Sequence, residues 1–376
     1  MPERSERRGE LDHNFGLTQA AASAIWRQYV RSTSSSAPAA PSLNVTVIIV
    51  SFRSARLATD CLRSVAQERS TPGLRIRAVV IDNASGDYPA ISRSVADNDW
   101  SSWVTPVLAP RNGGFAYGNN LGIRLALEEQ APDFILLLNP DTQVRRGAIG
   151  TLVHFLAGHP EIGIAGSSFE DFDGSDWPIA FRFPSVLSEL CAALDMGLLT
   201  RLFGRWAVAR QMSRLAQPAD WICGACMMIR PEVVRATGGF DESYFLYFEE
   251  TDFCLRARRA GFPTWYVPES RVMHIGGQST GVTERNSRPK RLPPYWFASR
   301  RRYFTVAFGP GEAIAADLLV LLAYPFGWLK RIALGRSDAS IPHFWRDLAR
   351  ASVLRPANWR IAGLREAVNS NGPRSP

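Results

Sequence analysis

Two short stretches of this 376-residue chain gather side chains able to do chemistry. The first is Asn139-Pro140-Asp141-Thr142, which follows the apolar run FILLL at 134–138. A run of that kind reads as a strand buried on both faces. An amide, a rigid turn residue and a carboxylate are therefore delivered at a fixed point. The second is GGFDESYFLYFEETDFCLR, Gly238 to Arg256, where Glu249, Glu250 and Asp252 stand among Phe245, Leu246, Tyr247, Phe248 and Phe253. Burial beside apolar rings raises a carboxylate's pKa and suits it to proton transfer. Glu249 and Glu250 are adjacent and point differently, so one acts as a base while the other holds an acceptor or fixes the loop.

The elements that position these groups follow an α/β rhythm. VTVIIV (45–50) reads as a first buried strand, and Leu57, Cys61, Leu62 and Val65 mark one face of a helix after it. AVVI (78–81), WVTPVL (103–108) and FILLL supply three more strands, and a helix is expected to begin near Gly118. Strands alternating with helices imply a mostly parallel sheet. The second strand ends in Asp82-Asn83-Ala84-Ser85 and the fourth in Asn139-Pro140-Asp141, so both deliver polar groups to the edge where open parallel sheets bind ligands. No G-x-G-x-x-G follows the first strand, where SFRSARL stands, and no phosphate-binding G-x-x-x-x-G-K-[ST] occurs. A divalent cation held by Asp141 is the remaining device for neutralising a diphosphate. Mg²⁺ or Mn²⁺ needs only one or two protein carboxylates when substrate phosphates fill other positions.

Composition bounds the partners. The chain is 46% hydrophobic and 21% charged, ordinary for a globular protein, and its net charge of +8 favours an acidic partner such as a nucleotide, anionic lipid or acidic polymer. Five scattered cysteines suggest no disulfide framework and fit a reducing cytoplasm. Cys223 and Cys226 lie within WICGACMMI and read as buried thiols, not a redox or zinc site. MPERSERRGELDH is charged and lacks the apolar core of a signal peptide. Residues 1–43 are expected to form a mobile segment, weakly helical around 17–30 and ending in the linker RSTSSSAPAAPS; a catalytic domain then spans 44–284 and a basic, helical extension 285–376.

Seven blocks in order, VTVIIVSFRS, VVIDNASGD, RNGGFAYGNNLGI, FILLLNPDT, DWICGACMMIRPEV, GGFDESYFLYFEETDFCLRARRAGF and VMHIGG, resemble family-2 glycosyltransferases of the GT-A fold, in particular the bacterial rhamnosyltransferase-like branch. The resemblance implies a mostly parallel central sheet flanked by helices that binds a nucleoside-diphosphate sugar. NPDT looks like a local form of the metal-binding D-x-D motif, with Asp141 as the metal carboxylate and Asn139 in place of the first acid. Asp82 corresponds to the acid that bonds the nucleobase, Ser51 lies where the base also sits, and Asn112, Gly113, Gly114 and Asn119 fall in the nucleotide-sugar loop. FEETD resembles E-D-x-D, which makes Glu250 the base and places Glu249 and Asp252 near the acceptor. His274 matches a histidine that ligates metal in related galactofuranose-transferring enzymes, and Trp221 is expected to wall the sugar or acceptor pocket. The implied reaction is inverting transfer of one sugar, with dTDP-rhamnose the leading donor, to a lipid-linked or polysaccharide hydroxyl in cell-envelope glycan synthesis. The Q-x-x-R-W motif of processive synthases is missing, since QMSRL at Gln211 lacks the tryptophan.

Arg285 to Arg302 holds seven Lys or Arg and no acid, interleaved with aromatic residues, and is expected to meet anionic lipid at the inner face of the cell membrane and not nucleic acid. LLVLLAYPFGWL (318–329) is interrupted by Pro325 and falls short of the ~20 apolar residues that span a bilayer. It reads as an interfacial or re-entrant helix, or as a core or subunit contact. Two rival functions share the platform: a nucleotidyltransferase, which needs a glycine-rich triphosphate loop after the first strand, and a nucleotide-sugar-binding protein without transferase activity, which needs no paired Asp141 and Glu250.

Overall fold

The structure, a computed structural model, describes residues 42–129, 132–170, 176–177, 179–194, 208–210, 212–275, 289–335 and 340–360. The expected N-terminal helix pattern and linker, and the boundary at 284/285, lie outside them. The first strands follow one another in parallel: β1 (Leu43–Ser51), then helix α1 (Ala55–Glu68), β2 (Leu74–Asp82), α2 (Tyr88–Asp97) and β3 (Val104–Leu108). Helix α3 (Gly114–Glu129) then carries the chain back across β1 to β4 (Phe134–Leu138), which pairs with the other edge of β1, giving the order β3-β2-β1-β4. The direction of winding thus reverses between β1 and β4. A reversal of this kind opens a crevice beyond the carboxyl ends of the strands. As the unbroken apolar run demanded, no residue of β4 is more than 3% exposed.

The rest of the sheet is mixed. The chain continues through β5 (Thr142–Val144), α4 (Ala148–Gly158), β6 (Ile164–Glu170), β7 (Asp176–Trp177), β8 (Ala180–Phe181) and α5 (Val186–Leu194). It goes on through β9 (Gln217–Ala219), β10 (Trp221–Ile222), β11 (Cys226–Ile229), α6 (Pro231–Thr237), α7 (Glu249–Arg259) and β12 (Thr264–His274). Strand β11 lies antiparallel between β4 and β6, while β12 runs parallel to β6 and antiparallel to β5. Helix α3 begins at Gly114, one turn before the position expected from sequence. Gly118 and Gly122 mark close packing and not a helix start, because a Cβ on either would come within 2.5 Å of Val50 or Ile48 on β1. Bare glycine surface is what lets the helix lie directly on the strand.

The C-terminal helices α8 (Pro294–Phe308), α9 (Pro310–Ala333) and α10 (Phe344–Ala351) are built into the molecule. Tyr303, Phe304, Ala313 and Ala316 share a core with Tyr244 and Leu255 of the acid-rich segment. The basic run is corrected here, because its described arginines are consumed internally. Arg300, 1% exposed, donates to Glu189 at 2.7 Å and to Asp317; Arg301 donates to the Ala351 carbonyl; Arg302 donates to Asp241 at 2.7 Å; Arg291 forms a two-point pair with Asp347 at 2.6 and 2.9 Å. Unpaired charges cannot be buried cheaply, so a basic sequence that enters a core arrives with its acids. Those acids come from 189, 241, 317 and 347, too far along the chain for the local run to reveal them.

The apolar segment is corrected as well. It is the middle of a 24-residue helix, about 36 Å long, and long and apolar enough to cross a membrane by length and composition alone, although a third of its apolar window is buried. Pro325 does not break it. The amide that proline lacks leaves the Leu321 carbonyl without its helical donor, and Trp345 Nε1 donates to that carbonyl at 2.8 Å. Leu318, Leu322, Phe326 and Leu329 form an exposed stripe along α9, with Phe326 68% exposed.

Candidate active site

A cavity of about 590 Å³ opens at the reversal point, walled by the ends of β1 and β4, the start of α3, and the segments around Trp221 and Tyr247. Asp141 sits in the tight β4–β5 turn, where Thr142 donates through both its amide and its hydroxyl to the Asn139 carbonyl, and the Asn139 amide donates to Ala225. Strand register then brings a distant residue to it. His274 pairs with Thr142, and the Ile275 amide donates to the Asp141 carbonyl, so His274 Nε2 comes to lie 3.4 Å from Asp141 Oδ1. Among the described residues no group of three or more His, Cys, Asp or Glu is placed to hold a metal. Two protein ligands, one of them a carboxylate, suit a cation that takes its remaining positions from phosphate oxygens and water.

The same cavity is lined by Glu249 and Glu250, at the N-terminus of α7. One oxygen of each, Oε2, is buried with no hydrogen-bond partner. Burial raises the pKa of both. Glu249 is pushed up furthest, because it also faces the Glu250 charge, whereas the amides of Glu250 and Gly224 partly hold Glu250 down. Both carboxyls are thereby drawn toward the pH range of proton transfer, and the positive end of α7 lies beside them. The preceding loop holds Tyr247 and Phe248 at φ +69° and +67°, a conformation rare for bulky residues.

Of the residues expected from sequence, Asn112, Gly114, Asn139, Asp141, Trp221, Glu249, Glu250 and His274 line this cavity. Trp221 stacks on Phe181 at 4.3 Å and anchors its indole NH on the Arg182 carbonyl at 2.9 Å. Five others do not reach it. Ser51 is fully buried against Ser54, and Asn119 donates to the Phe115 carbonyl one turn back. Gly113 lies behind the wall, where a Cβ would strike Tyr117. Asp252 stands one turn further into α7 and turns to Arg256 at 2.7 Å, its i+4 partner. Asp82 accepts from the Ser85 amide and hydroxyl and from the Tyr88 amide, so it shapes the loop after β2. Its neighbour Asn83 reaches the cavity instead. Both acceptors near its amide nitrogen, Asn112 Oδ1 at 3.1 Å and the Gly114 carbonyl at 3.0 Å, fix the orientation of that amide. Its Oδ1 is left buried and unpartnered. A strand alternates its faces, so reading the wall one residue late was the available signal.

Gly114 has φ +82°, and a Cβ there would stand 1.8 Å from the Phe245 carbonyl oxygen. Gly114→Ala is therefore expected to lower Tm, with about 1–2 kcal/mol lost to the left-handed backbone alone, and to displace the Phe245 loop from the cavity. A thermal melt with the same midpoint as wild type would show that the loop yields freely. Of the CGAC thiols, Cys226 is buried in β11 as the sequence implied, whereas Cys223 is partly buried between strands and lines the cavity. Burial pushes Cys223 up to about 12 and Cys226 to about 11, so both stay protonated at neutral pH.

Comparison with known proteins agrees with this geometry. The family model described as glycosyltransferase-like family 2 matches residues 41–290. An N-acetylglucosaminyl-diphospho-decaprenol L-rhamnosyltransferase of Mycobacterium tuberculosis is 32% identical over 245 residues, covering 59% of this chain and 78% of that protein. Rhamnosyltransferase WbbL of Escherichia coli is 27% identical over 164 residues, covering 43% of this chain and 60% of its own. Among solved structures, GalNAc-T7 with UDP, GalNAc and Mn²⁺ superposes with a TM-score of 0.51 at 15% identity, over 82% of this chain and 57% of that one. With a sheet that reverses at a ligand crevice and a family match across both acidic motifs, the chain belongs to the family-2 glycosyltransferases, enzymes of the GT-A fold.

Proposed function

We propose that this cavity moves one sugar, rhamnose from dTDP-rhamnose, to a hydroxyl of a lipid-linked acceptor in cell-envelope glycan synthesis, with inversion at the anomeric carbon. The observation that carries the reading is one cavity lined both by Asp141 with His274 and by Glu249 with Glu250, each glutamate keeping a buried Oε2 without a partner. The relatives named as rhamnosyltransferases support rhamnose as the sugar, and the mycobacterial name supports a lipid-linked acceptor. Asp141, with His274 beside it, would hold Mg²⁺ or Mn²⁺. Such an ion supplies charge stabilisation to the departing diphosphate. Asn83 Oδ1 offers a buried acceptor that takes a donor group of the nucleotide, and Asn112 and Gly114 hold that amide in place. The Glu250 carboxylate takes the acceptor's hydroxyl proton as that oxygen bonds to the anomeric carbon. The bond from the anomeric carbon to the diphosphate breaks, and the nucleoside diphosphate leaves with the electron pair. The Glu249 carboxyl holds the acceptor by a hydrogen bond.

The test is product analysis after incubation with dTDP-rhamnose, Mg²⁺ or Mn²⁺, and N-acetylglucosaminyl-diphospho-polyprenol. One rhamnose added per acceptor, in the opposite anomeric configuration to the donor, is the expected result. Retained configuration would exclude the single displacement. Formation of a nucleotide sugar from a nucleoside triphosphate would mark a nucleotidyltransferase, and donor binding with no turnover a binding protein.

The exposed stripe of α9 fits attachment to a lipid surface. Trp328 and Trp345, each nearly half exposed, sit beside it as amphipathic anchors, and Lys330 and Arg331 follow in the last turn. Because the described arginines of the basic run are internally paired, the apolar term leads. The protein is expected to sediment with neutral as well as anionic vesicles, and Phe326→Glu to lose most of that binding. Sedimentation with anionic vesicles alone, unchanged by Phe326→Glu, would contradict this placement.

A further inference from the structure

The family match stops at residue 290, but the cavity does not. Tyr295, in the first turn of α8, is one of its walls. Its ring lies 5.4 Å from Phe245 and 6.1 Å from Tyr247, nearly parallel to the latter at 14°. Helix α8 also holds the loop that carries those rings. Ser299 donates to the Leu246 carbonyl at 2.9 Å, and Phe248 packs on Trp296 and Tyr303 at 5.8 and 5.5 Å. The left-handed pair Tyr247 and Phe248 persists because these contacts over-determine it.

Beyond this aromatic wall lie the two unpartnered carboxyl oxygens of Glu249 and Glu250. Glu249 is only 2% exposed, and a buried polar oxygen without a partner is costly unless a ligand supplies the donor. Two such acceptors beside aromatic faces specify a molecule with an apolar C–H face and at least two hydroxyl donors, which is a neutral sugar ring. A phosphate at the same place would meet acidic groups and, among the described lining residues, no cation. We propose that Tyr295, with Tyr247 and Phe245, forms the platform on which the acceptor's terminal neutral sugar stacks, so that a residue outside the family module sets acceptor specificity. The proposal rests on the transferase reading above and adds the chemical class recognised at the acceptor end. Any diphosphate of a lipid-linked acceptor then lies outside the acidic wall.

The experiment is steady-state kinetics with N-acetylglucosaminyl-diphospho-polyprenol as acceptor, together with acceptor-free hydrolysis of dTDP-rhamnose. Tyr295→Leu, which keeps apolar bulk but loses the ring face, is expected to raise the acceptor KM about tenfold, the scale of one aromatic contact. Donor KM and acceptor-free hydrolysis stay at wild-type values, and Tyr295→Phe restores the acceptor KM. Tyr295→Ala repeats the rise, and the leucine variant stands in for it if the smaller residue unfolds. An unchanged acceptor KM in Tyr295→Leu, or a matching rise in donor KM, would overturn the platform while leaving the transferase reading intact. Absence of both transfer and hydrolysis in the wild type overturns both.

Discussion

Asp141→Ala is expected to abolish metal-dependent donor binding while the fold survives. In the proposed clamp the side chain would be one of two protein ligands, and its only polar neighbour among the described contacts is His274 at 3.4 Å. The turn itself is held by backbone and Thr142 bonds that the substitution leaves alone. Removing groups that merely orient a metal ligand costs 10–100-fold, so losing the carboxylate ligand itself is expected to exceed about 100-fold in donor affinity at fixed metal. Calorimetric titration of the donor with and without Mn²⁺ checks this, with a thermal melt as control. Binding that is equally strong, and equally metal-dependent, in the variant would remove Asp141 from the clamp.

Glu250→Gln carries the second large effect, a loss of transfer by roughly 10²–10⁴-fold with donor affinity retained. The amide keeps the shape and can still accept the Gly224 amide, but it cannot take the acceptor proton. Glu249→Gln is expected to be milder, because the alignment of FEETD with E-D-x-D puts that residue beside the acceptor and not at its reacting oxygen. The raised pKa of Glu250 fixes the sign of the pH profile. Transfer requires its carboxylate, so activity falls as pH drops through a midpoint above the ordinary carboxylate range. Glu250→Gln loses that acidic limb. If Glu249→Gln loses transfer and Glu250→Gln does not, the base is assigned one residue too late.

The parallel half of the sheet and the two acidic clusters were legible in sequence because each rests on local signals: continuous apolar runs, and polar residues at strand ends. Asp141 could be named for that reason, whereas the choice of Glu250 over Glu249 came through the resemblance of FEETD to E-D-x-D. His274 could be named only through resemblance, since its meeting with Asp141 depends on the pairing of β12 with β5. Asp82 and Asn83 differ in side-chain direction, which sequence does not show: the acid turns back to cap its own loop, and the amide faces the cavity. Asn120 went unnoticed for a different reason. It exchanges two hydrogen bonds with Phe240 backbone across 120 positions, fastening the acid-rich segment to α3, and no local pattern marks it. The basic run misled because charge alone does not reveal its partners. Its meaning changed once Glu189, Asp241, Asp317 and Asp347 were found beside it.

The central claim is that the crevice at the sheet reversal activates a nucleoside-diphosphate sugar. Release of free nucleoside diphosphate, followed across a panel of nucleotide sugars with Mg²⁺ or Mn²⁺, tests it most directly. The account predicts slow release without acceptor from dTDP-rhamnose, faster release when the lipid-linked sugar acceptor is added, and none in Asp141→Ala. No release from any nucleotide sugar, with metal and acceptor both present, would contradict it.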